Sequence, residues 1–188
     1  MAKTSKRDVK KTLTATEEVT EFVGNDLDSL CEATVEAIVD GHGFNWLKPP
    51  ARTTLEAFWR GVLLIPERTL FVARLDGRIV GTVQLVRPAR NNEQGAFSAE
   101  IATFFIAPWA RGHGLARSLL KDAERKARAE GFTTLEVNIR SDRKPAIALA
   151  EASGFTRWAT KERYARVDGV YLAGHYFVKY LDKAAPAL

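Results

Sequence analysis

The turn Arg111-Gly112-His113-Gly114-Leu115-Ala116 is the part of this chain best suited to chemistry. It follows an apolar run ending at Ala107-Pro108 and precedes a stretch of helical periodicity. Glycines at a strand-to-helix turn let a ligand approach the backbone closely and turn amide N–H groups outward. The helix that follows adds amides without intrahelical partners and the positive end of its dipole. Such a turn is an anion site suited to a pyrophosphate. Two familiar phosphate-binding patterns do not fit. Gly-x-x-x-x-Gly-Lys-Ser/Thr is absent, and Gly-x-Gly-x-x-Gly fails at Arg117. The acidic residue expected about 20 positions on is also not in place, and no early βαβ unit contains the turn. Taken alone, Gly-x-Gly is weak evidence, with a simple tight turn as the alternative reading.

Other chemistry is scarce. His42, His113 and His175 lie far apart without metal-ligand spacing, so no metal site is expected. Cys31 is the single cysteine, which excludes an intrachain disulfide and points to a reducing, cytoplasmic compartment.

The elements that must position the turn follow from pattern. Residues 1–15 are polar and basic and read as a disordered arm, leaving 16–188 as one domain. Val19–Val23 reads as a first strand. Asn25 or Asp26 caps a helix carrying Leu27, Leu30, Cys31, Val35, Ile38 and Val39, which Gly41 ends as a left-handed residue. Residues 42–51 form a loop. Thr53-Thr54-Leu55-Glu56 reads as a capping box opening a second helix. Leu70–Leu75 and Ile79–Val86 flank Asp76-Gly77 as a hairpin with a type I′ turn. Ala99–Ala107 is a strand closed by Pro108. A long helix over about 112–130 buries Leu115, Leu119, Leu120, Ala123 and Ala127. Thr134–Ile139 is a strand, and Asp142 caps a helix over 143–153 with Pro145 in its first turn. Phe155–Val167 and Val170–Leu181 form a terminal hairpin around Asp168-Gly169.

Composition sets the outer bounds. The 188 residues are 46% hydrophobic and 27% charged, ordinary globular material. No run approaches the roughly 18 apolar residues of a membrane span. The formal net charge is +5, which invites a polyanion partner. Residues 1–12, however, hold five basic groups against Asp8, so the remainder carries only +1. Neither nucleic acid nor membrane is an expected partner.

The segment Phe105-Ile106-Ala107-Pro108-x-x-Arg111-Gly112-x-Gly114-x-Ala116 resembles the central motif of the GNAT superfamily of acyl-CoA-dependent N-acyltransferases. Downstream, Ala146-Ile147-x-Leu149-x-Glu151-x-x-Gly154-Phe155 resembles that family's second signature. The resemblance extends over about 19–181, with the specific motifs inside 99–155. A looser similarity to tabtoxin-resistance-type small-molecule acetyltransferases runs through the first helices and the terminal hairpin. The resemblance implies an α/β (α+β) fold with a mixed, mostly antiparallel sheet of about seven strands, a splayed parallel pair formed by the fourth and fifth, and about four helices.

It also implies acetyl-CoA as donor, a small-molecule primary amine as acceptor, and direct attack in a ternary complex. A protein lysine or N-terminus, or a non-catalytic acyl-CoA sensor, are the alternatives, and a homodimer is compatible with the family. By the same resemblance the backbone of Phe105 and Ile106 meets the pantetheine arm, and the Ile106 N–H polarises the thioester carbonyl. The backbone of Arg111, Gly112, His113, Gly114, Leu115 and Ala116 holds the pyrophosphate, with Arg117, Lys121 or Arg143 available to a phosphate. Glu100 occupies the position of a general base, which an apolar setting would favour by raising its pKa; a structural, solvent-facing role is the alternative. The family's tyrosine acid is replaced by Ala150, which leaves Tyr164 or Tyr176 as substitute donors. Asn138 orients the acceptor. His42, Phe44, Trp46 and Tyr164 are the candidate acceptor-pocket residues.

Overall fold

Asp76 and Gly77 both take positive φ, 49° and 85°, as a type I′ turn requires, and they join two strands into a tight hairpin. The computed structural model describes residues 12–41 and 46–182. Its elements are strand β1 (Thr14–Val19), helices α1 (Asp26–Gly41) and α2 (Arg52–Leu64), strands β2 (Arg68–Leu75), β3 (Arg78–Val86) and β4 (Ser98–Ile106), and a 3-10 turn at Pro108–Ala110. Helix α3 (Leu115–Ala129), strand β5 (Thr134–Arg140), helix α4 (Lys144–Ala152) and the hairpin β6 (Thr156–Val167)–β7 (Val170–Tyr180) complete the fold.

The strands form one seven-stranded sheet in the order β1-β2-β3-β4-β5-β7-β6. Every pairing is antiparallel except β4 with β5. Alternation along β2 sorts the core into two layers. Phe71 and Ala73 join the α3 stripe Leu115, Leu119, Leu120, Ala123 and Ala127, all buried. Leu70 and Val72 point the other way, onto Leu30 and Cys31 of α1 and Leu55, Trp59 and Val62 of α2. Trp59 is fully buried, and its indole N–H donates to Thr34 Oγ1 at 3.1 Å, so the burial leaves no unpaired donor.

The structure corrects several local expectations. The first strand is Thr14–Val19 rather than Val19–Val23, so part of the supposed 1–15 arm belongs to the sheet. Only Val19 of this strand is buried. Pairing with β2 and contacts from Thr16 to Asp122, Glu17 to Arg74 and Glu18 to Lys126 hold it instead of an apolar face. Residues 1–11 of the arm lie outside the described residues. Gly41 is helical, not left-handed. Thr53 makes no cap: α2 starts after Ala51 without a side-chain hydrogen bond, and Glu56 accepts from Arg52 Nε at 2.8 Å. Arg143, not Asp142, occupies the N-cap of α4, because Asp142 is held by Arg140 Nε at 2.7 Å.

Candidate active site

Strands β4 and β5 pair over only four residues each, from Ser98↔Thr134 to Ile101↔Val137. Both continue beyond that point, β4 to Ile106 and β5 to Arg140, so a gap opens between residues 102–106 and 138–140. The cause is a bulge. The β3 register steps from Thr82↔Phe105 to Gln84↔Ala102, so Thr103 and Phe104 face the single residue Val83. Thr103 takes φ 47°, an uncommon value for a β-branched residue, and its carbonyl is secured by Thr82 Oγ1 at 2.8 Å. Gly81 permits the crossing, since a Cβ there would lie 2.4 Å from the Phe105 carbonyl oxygen.

Ladder alternation then decides which amides face the gap. Ala107 N–H donates to the Val80 carbonyl at 2.7 Å. Ile106, its neighbour, therefore directs its N–H away from β3 and into the gap. The same alternation turns the N–H and C=O of Phe105 toward β3, so of the two residues expected to meet a bound arm only Ile106 offers its backbone.

The glycine turn closes the open end of the gap. Gly112 and Gly114 have φ of 87° and 76°, with open space where each Cβ would stand. Gly114 is the N-cap of α3 and no side chain caps the helix. The first helical bond is Ser118 N–H to Gly114 C=O at 3.1 Å, so the amides of 112–117 precede the ladder. His113 and Arg117 are exposed, Ala116 is half-buried and Leu115 is buried beneath the turn. Side chains around the turn are largely committed elsewhere. Arg111 ion-pairs with Asp40 at 2.7 Å and holds that carboxyl below its usual range. Arg143 donates to the Gly41 carbonyl and also faces Asp40 at 4.0 Å. A tethered Asp40 thus touches both flanks of the gap.

At the closed end stands Glu100. Its register partners across the sheet are Val86 of β3 and Glu136 of β5. The side chain is exposed on the α1/α2 side, with its Oε1 accepting from Asn138 Nδ2 at 3.4 Å. Desolvation by surrounding protein, and then the Glu136 carboxylate, raise its pKa; Arg68 works against them. Asn138 pairs with Tyr176, whose ring lies 6.2 Å from that of Tyr164. Tyr164 packs over Gly174, where no Cβ could fit. Its hydroxyl pKa is raised by burial, then by Tyr176 and Glu100, so it keeps its proton at neutral pH. Glu100, Asn138, Tyr164 and Tyr176 therefore share one wall. Trp46 is half-buried, edge-on to Phe58 at 5.2 Å in the α2 cluster. His42 and Phe44 lie outside the described residues.

A strand pair splayed at a bulge, a glycine turn at one end and a carboxylate at the other outline an elongated cleft suited to an extended ligand with an anionic end. The acetyltransferase (GNAT) family model matches residues 31–155, most of the chain. The chain belongs to the GNAT acetyltransferase family. An uncharacterized N-acetyltransferase of the hisH-hisA intergenic region in Azospirillum brasilense is 53% identical over 119 residues, 63% of this chain and 71% of that protein. The N-alpha-acetyltransferase RimI of Mycobacterium tuberculosis (strain ATCC 25618 / H37Rv) is 34% identical over 121 residues, 64% of this chain and 69% of its own. Among solved structures, a GNAT superfamily phosphinothricin acetyltransferase from Sinorhizobium meliloti in complex with AcCoA superposes with a TM-score of 0.73. It is 21% identical and covers 93% of each chain.

The GNAT protein is thus an acyltransferase of the acetyl-CoA-using class, with an ordinary GNAT sheet. Ala150 is buried where the family's tyrosine acid is expected. Two features of the site escaped sequence reasoning. One is Asp40, whose partners lie 71 or more residues away. The other is the pair Arg68–Gln84, with Arg68 NH1 donating to Gln84 Oε1 at 2.6 Å. Gln84 is fully buried, and its Nε2 has no hydrogen-bond partner among the described residues. A lone glutamine inside the apolar run Ile79–Val86 was the available signal. Cys31 takes no part, since burial pushes its thiol up to about 11. Among the described residues, no helix is long and apolar enough to cross a membrane and no group of acidic, His and Cys side chains could hold a metal.

Proposed function

We propose that this GNAT protein transfers an acetyl group from acetyl-CoA to the primary amine of a small molecule, by direct attack in a ternary complex. The observation that carries the reading is the β4/β5 gap, with amides gathered at its open end and Glu100 at its closed end. Acetyl-CoA, when bound, supplies the activated acetyl carbon. The amides of 112–117 hold its phosphates, helped by Arg117 and Lys121. The Ile106 N–H donates to the carbonyl oxygen as charge gathers there. Glu100 takes the proton that the amine must lose, directly or through a water, and its raised pKa suits that task. Asn138 steadies Glu100. Tyr164 donates a proton to the departing thiolate in place of the missing tyrosine on α4. A cytoplasmic setting accords with the single, buried thiol.

The N-alpha-acetyltransferase relative favours a second reading, in which the acceptor is a protein N-terminus or lysine. An acetyl-CoA turnover screen over amines, amino acids and peptides, read by released thiol, separates the two. Turnover of small amines well above peptides supports the first, and the reverse ranking supports the second. Silence toward every acceptor with CoA still bound would instead mark a non-catalytic acyl-CoA sensor.

A further inference from the structure

An open surface hollow of about 550 Å³ lies where α2 runs into β2 and β3 leaves the sheet. Its lining includes Ile65, Val86, Arg68, Arg87 and Arg90, with Glu67 as the single carboxylate. Two of the three guanidinium groups face carboxylates: Arg87 meets Glu130 at 2.5 Å, and Arg90 meets Glu67 at 3.6 Å. Arg68 has no carboxylate within 4 Å among the described residues. Its NH1 is held by the buried Gln84 carbonyl at 2.6 Å, which fixes the guanidinium without neutralising it.

Register places this cation beside the proposed base. Arg68 pairs with Val86, and Val86 pairs with Glu100. The three residues form one row on one face of the sheet. Arg68 and Glu100 are two strands apart, so their Cα atoms are roughly 10 Å apart, within reach of an arginine leaning across Val86. Glu100 feels the charge, since Arg68 is the group that opposes its upward shift. A substrate whose amine meets Glu100 therefore has a fixed, unneutralised guanidinium further along the same row.

We propose that the acceptor is an α-amino acid or a zwitterion of the same design, whose carboxylate is recognised by Arg68 in the arginine-lined hollow while its amine faces Glu100. The proposal rests on the acetyltransferase reading for the amine and adds the anionic half of the substrate. It makes Arg68 a specificity-determining residue and Gln84 the residue that positions it. The buried Gln84 Nε2, left without a partner, is the structural cost of that positioning.

Matched acceptor pairs test it. Leucine, methionine and glutamate are compared with their α-carboxamides at saturating acetyl-CoA, reading released thiol. The wild-type protein should prefer the acids by about 10–100-fold in kcat/KM, the range of a charge-assisted hydrogen bond. Arg68→Ala should bring that ratio toward one through the acceptor KM, with the KM for acetyl-CoA held, and Arg68→Lys should restore part of it. Because Arg68→Ala also strips the partner from a buried amide, saturation-transfer NMR of N-acetyl-leucine against its carboxamide on the CoA-loaded wild-type protein gives an independent readout. Equal handling of acid and amide in either experiment overturns the proposal. Turnover without acid preference leaves the transferase reading standing; Arg68-dependent acid binding without any turnover does the opposite.

Discussion

Replacing Glu100 by Gln tests the catalytic wall at its centre. Glutamine keeps the shape and keeps an Oε1 for the Asn138 amide, so the 3.4 Å contact survives. It removes the charge that would accept the amine's proton. General-base assistance contributes about 10²–10⁴-fold, equivalent to about 3–5 kcal/mol of barrier. The variant should therefore lose two to four orders of magnitude in kcat, with little change in the KM for acetyl-CoA. The pH profile gives a second, signed expectation. Glu100 works only when ionised and its pKa is raised, so wild-type activity falls as pH drops through a value above the ordinary glutamate range. That limb should vanish from the residual activity of the variant. Stability moves the other way. A carboxyl whose folded pKa is raised makes the folded protein bind more protons, so ionising it costs stability as pH rises through the window. Glu100→Gln should thus be no less thermostable than wild type at neutral pH, and the gain should be small because the side chain is exposed. Turnover assays across pH and thermal melts are sufficient. A variant that keeps more than about a tenth of wild-type kcat with the acidic limb intact would remove Glu100 from the mechanism.

Other sites make separate predictions. Gly114→Asp forces a non-glycine residue to φ 76° and sets a negative charge against the anion site, so calorimetry should show CoA binding lost; unchanged affinity would displace the phosphates from this turn. Tyr164→Phe should lower kcat without weakening acetyl-CoA binding, an effect that disappears with a more acidic thiol leaving group; a wild-type kcat would return the proton-donor role to water. Gly81→Val must push against the Phe105 carbonyl at 2.4 Å and so displace the Ile106 amide, costing both melting temperature and kcat; a crystal structure showing an unmoved β4 would contradict the bulge argument. Asp40→Asn releases Arg111 from a 2.7 Å ion pair, and CoA should then bind more tightly at low salt and equally at high salt; weaker binding at both would make Asp40 a purely structural tether.

What could be read from the sequence was local. Asp76-Gly77 and Asp168-Gly169 announce their turns because positive φ at adjacent residues needs those side chains, and both hairpins form there. The α3 stripe is legible because its 3.6-residue period is undisturbed from Leu115 to Ala127. The strand β1 is not, since an edge strand held by its ladder and by ion pairs has no reason to alternate. The four-residue limit on β4/β5 pairing is equally hidden: the bulge arises from Thr103, Gly81 and their neighbours meeting across two strands. Glu100, Asn138 and Tyr164 carry no mutual signal in the chain, and only the register of four strands, β4, β5, β7 and β6, assembles them. Trp46 meets Phe58 of α2 edge-on, a contact between loop and helix that no spacing in the chain announces.

The two halves of the site also differ in what they are made of, and the ion pairs show why. Beside the glycine turn Arg111 is paired with Asp40, and in the later turns of α3 Arg125 is paired with Asp122 and Arg128 with Glu124. Arg117 and Lys121 alone on that stretch of α3 have no carboxylate within 4 Å among the described residues, and Arg117 is exposed. In the proposed reading, donor recognition would rest on backbone amides, which side-chain substitution cannot remove so long as Gly112 and Gly114 keep their positive φ. Acceptor recognition would rest on side chains instead, from Arg68 through Glu100 to Tyr164, drawn from different strands. A substitution there can change the amine without touching the amides that hold the acyl donor. Such a division of labour would let one sheet keep a fixed cofactor and still be retuned for its substrate, with specificity in the row that Arg68 begins.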